Sequence, residues 1–233
     1  AVSEHRLSLE GREVPVRIRR HATARRMTLR IAPDGEAVAI TIPRWGRERE
    51  AMRFATDRRD WIARQLAARP EPLVLRDGAW LPFRGEELLV DHDRARPRRI
   101  ALDGTRLVVG GPDENLDRRI ERWLRARMLD LLAGDVPYFC AAAGIDPVPF
   151  RLTSARRRWG SCSSGGTLRI NWRLVMAPDF VRRAVVAHEV AHLVHFDHSP
   201  AFRALCDSLA PGLQEPSDRW LKAQGRSLYA AYP

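Results

Sequence analysis

Lysine is nearly absent from this chain of 233 residues: of its 40 basic residues only Lys222 is lysine, and the rest are arginine. Cysteine is scarce as well. Cys140, Cys162 and Cys206 are odd in number and widely spaced, with no Cys-x-x-Cys pair. That argues against a disulfide framework and against a zinc ribbon, and it leaves small buried or half-buried thiols. No stretch approaches the ~18 uninterrupted apolar residues of a membrane-spanning helix, so no membrane partner is expected. The first twelve residues carry charges throughout and lack the apolar core of a signal peptide. A cytoplasmic chain is therefore expected. There is no low-complexity tract and no internal repeat in the residue pattern.

What is present is positive charge. The formal net charge is +11. Residues 1–112 hold 23 basic and 16 acidic residues, and residues 113–233 hold 17 and 13. This spread is compatible with nucleic acid as a partner, and equally with a solvated arginine-rich surface.

Period-two alternation marks strands around Val14, Val16 and Ile18, around Met27, Leu29 and Ile31, and around Val38, Ile40 and Ile42. Pro33-Asp34-Gly35 supplies a turn between the last two. Residues 47–68 read as one amphipathic helix with Phe54, Trp61, Ile62 and Leu66 on its apolar side, ended by Pro70 and Pro72. Strands are expected at 80–90 and 98–109, with Asp103-Gly104 as a hairpin turn. Gly110-Gly111-Pro112 reads as a domain boundary.

Beyond it, Leu116, Ile120, Trp123, Leu124, Met128 and Leu131 form a helical stripe that Gly134 and Pro137 interrupt. Two short strands follow, at 150–154 and 167–172. Pro178-Asp179 opens a helix running to about Phe196. Ser199-Pro200 reads as cap and first residue of another over 201–209, and a last helix spans about 215–225. The pattern as a whole predicts an α+β protein. Residues 1–112 are expected to form a mostly antiparallel β-domain with one helix, and residues 113–233 a second domain of helices around a small sheet.

The chemistry rests on His188-Glu189-Val190-Ala191-His192, which reads His-Glu-x-x-His. On a helix, positions i and i+4 lie about 40° apart in rotation and about 6 Å apart along the axis. Two imidazoles so spaced can share one metal ion, and Glu189 sits on the next stripe, within reach of a water in that site. This is the pattern of a zinc peptidase, with Glu189 as catalytic base. A catalytic zinc wants a third protein ligand. His198 is the preferred reading, because a helix break at 197–199 lets the chain fold back. Glu215, on a separate helix, and His195 are the alternatives, and Asp218 is a further carboxylate in range of the sequence pattern.

At this point the sequence resembles the YgjP-like metallopeptidase family, which is similar to the SprT and WLM zinc-peptidase domains. The likeness is carried by Arg156-Arg157-Arg158-Trp159-Gly160-Ser161-Cys162, by Ile170-Asn171-Trp172-Arg173-Leu174 and Ala177-Pro178, by the His-Glu-x-x-His, and by His198-Ser199-Pro200-Ala201-Phe202. Ile42-Pro43 and Trp61-Ile62 extend it into the amino-terminal half. The resemblance implies a zincin-like carboxy-terminal domain, one zinc ion, and His198 as third ligand. It also implies a peptide or protein substrate. The extra histidine, His195, is a departure from the family's pattern. SprT-like relatives act on proteins attached to DNA, which suggests nucleic acid as a second partner.

Four residues are expected as substrate-binding: Trp159, Gly160 and Ser161, as an edge strand aligning an extended peptide, and Asn171, projecting opposite Trp172 toward the cleft. Asp197 is a candidate orienter of a ligand histidine. Tyr229 and Tyr232 are candidate oxyanion donors that nothing in the sequence places near the metal.

Overall fold

The computed structural model describes residues 2–32, 37–67 and 73–232. The chain divides into two compact units, Ala1–Pro70 and Glu71–Tyr232. The protein is α+β, as the residue pattern predicts.

In the first unit, β1 (Val2–Leu9), β2 (Arg12–Arg20), β3 (Thr28–Ile31) and β4 (Val38–Ile42) form one sheet in the order β1-β2-β4-β3. The outer pairs are antiparallel and the central pair β2–β4 is parallel. Val16, Ile18, Val38, Ile40 and Ile42 fill its inner face against Ala51, Ala55 and Ile62. The single helix expected over 47–68 is two: α1 (Glu48–Asp57) and α2 (Arg59–Ala67). They part at Arg58, whose N–H still closes on Ala55 and Thr56 while its backbone leaves the helical region. The Pro33-Asp34-Gly35 turn and the Pro70–Pro72 stop lie outside the described residues.

The second unit begins with β5 (Trp80–Phe83), β6 (Glu86–Asp93), β7 (Ile100–Asp103) and β8 (Arg106–Gly110), in the order β5-β6-β8-β7. The strand order and the pairing directions repeat those of the first sheet. The topology is therefore duplicated where the residue pattern shows no repeat. The boundary expected at residue 112 falls inside this unit, for a visible reason. Arg119, buried, donates to the carbonyl oxygens of Gly110 and Pro112 and ties the glycine-rich turn to the next helix. Leu81, Val90, Leu107 and Val109 share one core with Ile120 and Leu124, and Phe83 lies 5.1 Å from the Trp123 ring.

That helix, α3 (Leu116–Ala142), runs through Gly134 and Pro137. A proline inside a helix costs roughly 3 kcal/mol. Leu132, Val136, Phe139 and Cys140 continue the apolar stripe and are at most 1% exposed, so burial of about 2 kcal/mol per large side chain outweighs it.

The remaining elements are β9 (Phe150–Thr153), β10 (Gly160–Cys162), β11 (Leu168–Asn171), a short 3-10 turn (Trp172–Val175), α4 (Asp179–Val194), α5 (Pro200–Leu209) and α6 (Gln214–Ala231). The small sheet has the order β10-β11-β9, which leaves β10 on an edge. Among the described residues no helix is long and apolar enough to cross a membrane.

Candidate metal centre

α4 is buried on most of its circumference: Val181, Ala184, Val186, Ala187, Val190 and Ala191 are at most 1% exposed. Small and β-branched side chains let neighbouring elements approach closely and present the next stripe, His188, Glu189 and His192, to β10, α5 and α6. The helix stops at Val194, two residues sooner than the pattern suggested, and His195 is extended. Ser199 then caps α5, its hydroxyl accepting from the Phe202 N–H, with Pro200 at the first helical position. This break turns the chain back and brings His198 to the other two histidines.

The nitrogens of His188, His192 and His198 lie within 4.8 Å of one another. Among the described residues this is the group of His, Cys, Asp or Glu donors gathered closely enough to hold a metal ion. The donor set fits zinc. Three imidazoles with a fourth position left open are a ligand set that a catalytic zinc takes. His192 Nδ1 lies 3.1 Å from the carbonyl oxygen of His195. A carbonyl only accepts, so Nδ1 carries the proton and Nε2 is left with its lone pair. Gln214 lines the cleft beside His188. Gln214 is itself held by Nε2 donating to the Ala184 carbonyl, 3.1 Å. Burial holds the His188 pKa below its ordinary value, and the charges of His192 and His198 push the same way against Asp218 and Gln214. A neutral imidazole is the form that binds a metal. Phe202 packs on all three rings, with centroids 4.4 to 5.0 Å away.

His195 therefore contributes its backbone oxygen and is outside the donor group. Glu215 is exposed and pairs with Arg219 at 2.8 Å. Asp197 accepts from the Ser199 N–H at 3.3 Å, shaping the loop.

Glu189 is 7% exposed, and burial lifts its carboxyl to about 7, with Arg158 and the Cys162 N–H pulling it down. Burial also pushes the thiol of Cys206 up to about 11, and that of Cys162 up, so neither is a ready thiolate.

β10 bonds to β11 in the alternating antiparallel way, with Trp159 O accepting from Asn171 N and Ser163 N donating to Thr167 O. The backbone groups of Gly160 and Cys162 consequently point to the free edge. Trp159 and Gly160 line a cleft of about 470 Å³, counting space open to solvent, together with His188 and Glu189. The other wall comes from α6, through Gln214, Ser217, Asp218 and Leu221. No local pattern near the motif marks this wall, since the helix that supplies it follows by more than twenty residues.

Ser161 sits on β10 with its backbone turned to β11. Asn171 is not brought to the cleft. It is fully buried, its Nδ2 donating to Ala155 O at 2.8 Å and its Oδ1 accepting from Arg173 N at 3.2 Å, so it fastens the 155–158 loop to the 3-10 turn. Tyr229 donates to Ala155 O and stacks on Trp159, and the Tyr232 carbonyl accepts from Arg173. Neither tyrosine belongs to the histidine cluster.

A three-histidine centre on a His-Glu-x-x-His helix, in an α+β unit with an edge strand beside it, defines a metallohydrolase type of site. The sequence profile of the YgjP-like metallopeptidase domain matches residues 25–224. The chain belongs to the YgjP-like metallopeptidase family. Among curated proteins no relative matches. Among solved structures the chain is similar to the crystal structure of the metallopeptidase zymogen of Pyrococcus abyssi abylysin, with 22% identity and a TM-score of 0.36. That match covers 42% of this chain and 96% of the other.

Proposed function

We propose that this protein is a zinc peptidase in which His188, His192 and His198 hold the ion and Glu189 is the general base, with the Glu71–Tyr232 unit as a zincin-like catalytic domain. The observation that carries this reading is the convergence of three imidazoles beside one buried carboxylate. A zinc ion there would polarise the scissile carbonyl and make a water acidic enough to be deprotonated near neutral pH. Glu189 takes a proton from water onto its carboxylate and returns it to the nitrogen of the leaving amine. Its burial favours proton transfer near neutrality, and Gly160 packs directly against the side chain. The outward N–H and C=O of Gly160 offer an extended peptide one more strand position, and the Trp159 ring walls the cleft.

The test is Glu189→Gln. The variant is expected to keep about one zinc per chain and to lose peptide hydrolysis by at least ~10³-fold. Full activity in that variant, on a peptide the wild type cleaves, overturns the assignment.

A second reading rests on the first unit. Ala1–Pro70 holds sixteen arginines against nine acidic residues. Arg6, Arg17, Arg19 and Arg30 all lie on the exposed face of its sheet. This supports nucleic acid as a partner. Double-stranded DNA is expected to bind with an affinity that falls steeply between about 50 and 200 mM salt. Binding that ignores salt, or none at low salt, removes this reading.

A further inference from the structure

The cleft wall supplied by α6 carries one acid. Asp218 stands one helical turn beyond Gln214 and lines the cleft beside His188. The chain has 40 basic residues, yet among the described residues no arginine or lysine forms an ion pair with Asp218. The indole of Trp159 also lines the cleft, packed on α6 itself: the Tyr229 ring centroid is 4.8 Å away, and a Cβ on Gly225 would stand 2.9 Å from Trp159 Cζ2. Val185 and Leu221 complete it with aliphatic surface.

A carboxylate and an indole in one cleft, with aliphatic surface between the polar groups, match one type of side chain. An alkyl stem lies along Val185 and Leu221 while its cationic head meets Asp218 and the ring face. An aliphatic guest would strip water from Asp218 without replacing it, and an acidic guest would be repelled. We propose that Asp218 is the specificity residue of this cleft and selects peptides with lysine or arginine next to the scissile bond. The proposal rests on the peptidase reading for the phrase "scissile bond"; the pocket itself does not depend on it.

Two measurements separate them. In the first, zinc-loaded Glu189→Gln protein is titrated into fluorescein-labelled decapeptides that differ only by Lys, Gln or Glu at one position. The Lys peptide is expected to bind roughly tenfold more tightly than Gln, with Glu weakest. Adding Asp218→Asn abolishes the difference while metal analysis still finds one zinc per chain, and Asp218→Arg shifts the preference to Glu. In the second, the ratio of kcat/KM for Lys over Gln peptides falls roughly tenfold from wild type to Asp218→Asn. Equal binding of Lys and Gln peptides overturns the proposal. So does a preference untouched by Asp218→Asn, or zinc loss in that variant. Lys-selective, Asp218-dependent binding without any cleavage by the wild type keeps the pocket and removes the peptidase reading. Cleavage with no Lys or Arg preference does the reverse.

Discussion

Gly160 lies directly against Glu189: a Cβ built on it would stand 2.5 Å from Oε1 and 2.6 Å from Cγ of the glutamate. The contact involves the root of the side chain as well as its tip, so a rotation of the carboxylate alone does not relieve it. Gly160→Ala is therefore expected to displace the Glu189 side chain from its place beside His188 in the cleft. Zinc content should stay near one per chain while kcat falls by about 10²-fold. The unit should lose about 1–3 kcal/mol to overpacking. Metal analysis beside steady-state kinetics checks this; an alanine variant with wild-type kcat shows that Glu189 has room the packing denies it.

Metal removal gives the second expectation. The three histidines come from α4 and from the turn after it, so a bound ion cross-links two segments that α4 and α5 otherwise hold by packing. A ligand that binds only the folded state stabilises it by about 2.7 kcal/mol at 100 times its Kd. A chelator should lower the melting temperature of the wild type. His198→Ala should melt at a temperature that chelator no longer changes. A chelator effect of wild-type size in His198→Ala would move the third ligand elsewhere.

The parts of this site legible in the sequence are those encoded within a few residues of each other. His188, Glu189 and His192 follow from helical spacing. The turn that delivers His198 follows from Ser199-Pro200, a cap whose chemistry is local. Asp218 enters the sequence reading only as an alternative metal ligand and Gln214 not at all, since a helix that returns to the cleft is positioned by tertiary packing. Asn171 was read by strand alternation as facing the cleft, but a side chain that caps the next turn is held inward by its own hydrogen bonds. The fold shows the same division. Alternation finds β2, β3 and β4, while β1 was missed because only Leu7 and Leu9 of its inner face are fully buried. The Gly110-Gly111-Pro112 turn has the composition of a linker, and the Arg119 guanidinium that makes it part of the core is seven residues further on.

Asp179 supplies a pH dependence. Burial alone would raise its pKa, but hydrogen bonds from Arg84 and Arg182 outweigh it and hold the carboxyl below its ordinary value. A carboxyl depressed in the folded state contributes stability above its unfolded pKa, and that contribution is lost as pH falls through the folded value. Because the group is 37% exposed, solvent screening limits the contribution to about 1 kcal/mol or less. Asp179→Asn should thus lower the urea midpoint at pH 7, and the gap from wild type should shrink as the pH approaches 3. A gap that is constant with pH would assign the effect to helix capping without charge.

Asp135 has the larger energetic role. It is 5% exposed and accepts from Arg182 Nε at 2.8 Å and from Arg183 Nη1 at 2.7 Å, joining the middle of α3 to the amino-terminal part of α4. Arg182 is 3% exposed. Asp135→Asn leaves that guanidinium buried with only Asp179 as counter-charge, which should destabilise the Glu71–Tyr232 unit by about 3 kcal/mol. For a unit of this size the melting temperature should drop by very roughly 6–12 °C. Replacing both partners, Asp135→Leu with Arg182→Met, removes the stranded charge along with the pair. The double variant is expected to be more stable than Asp135→Asn alone, because most of the loss in the single variant comes from the arginine left behind. Additive losses in the double variant, measured by urea denaturation, would mean that the ion pair itself holds α3 to α4.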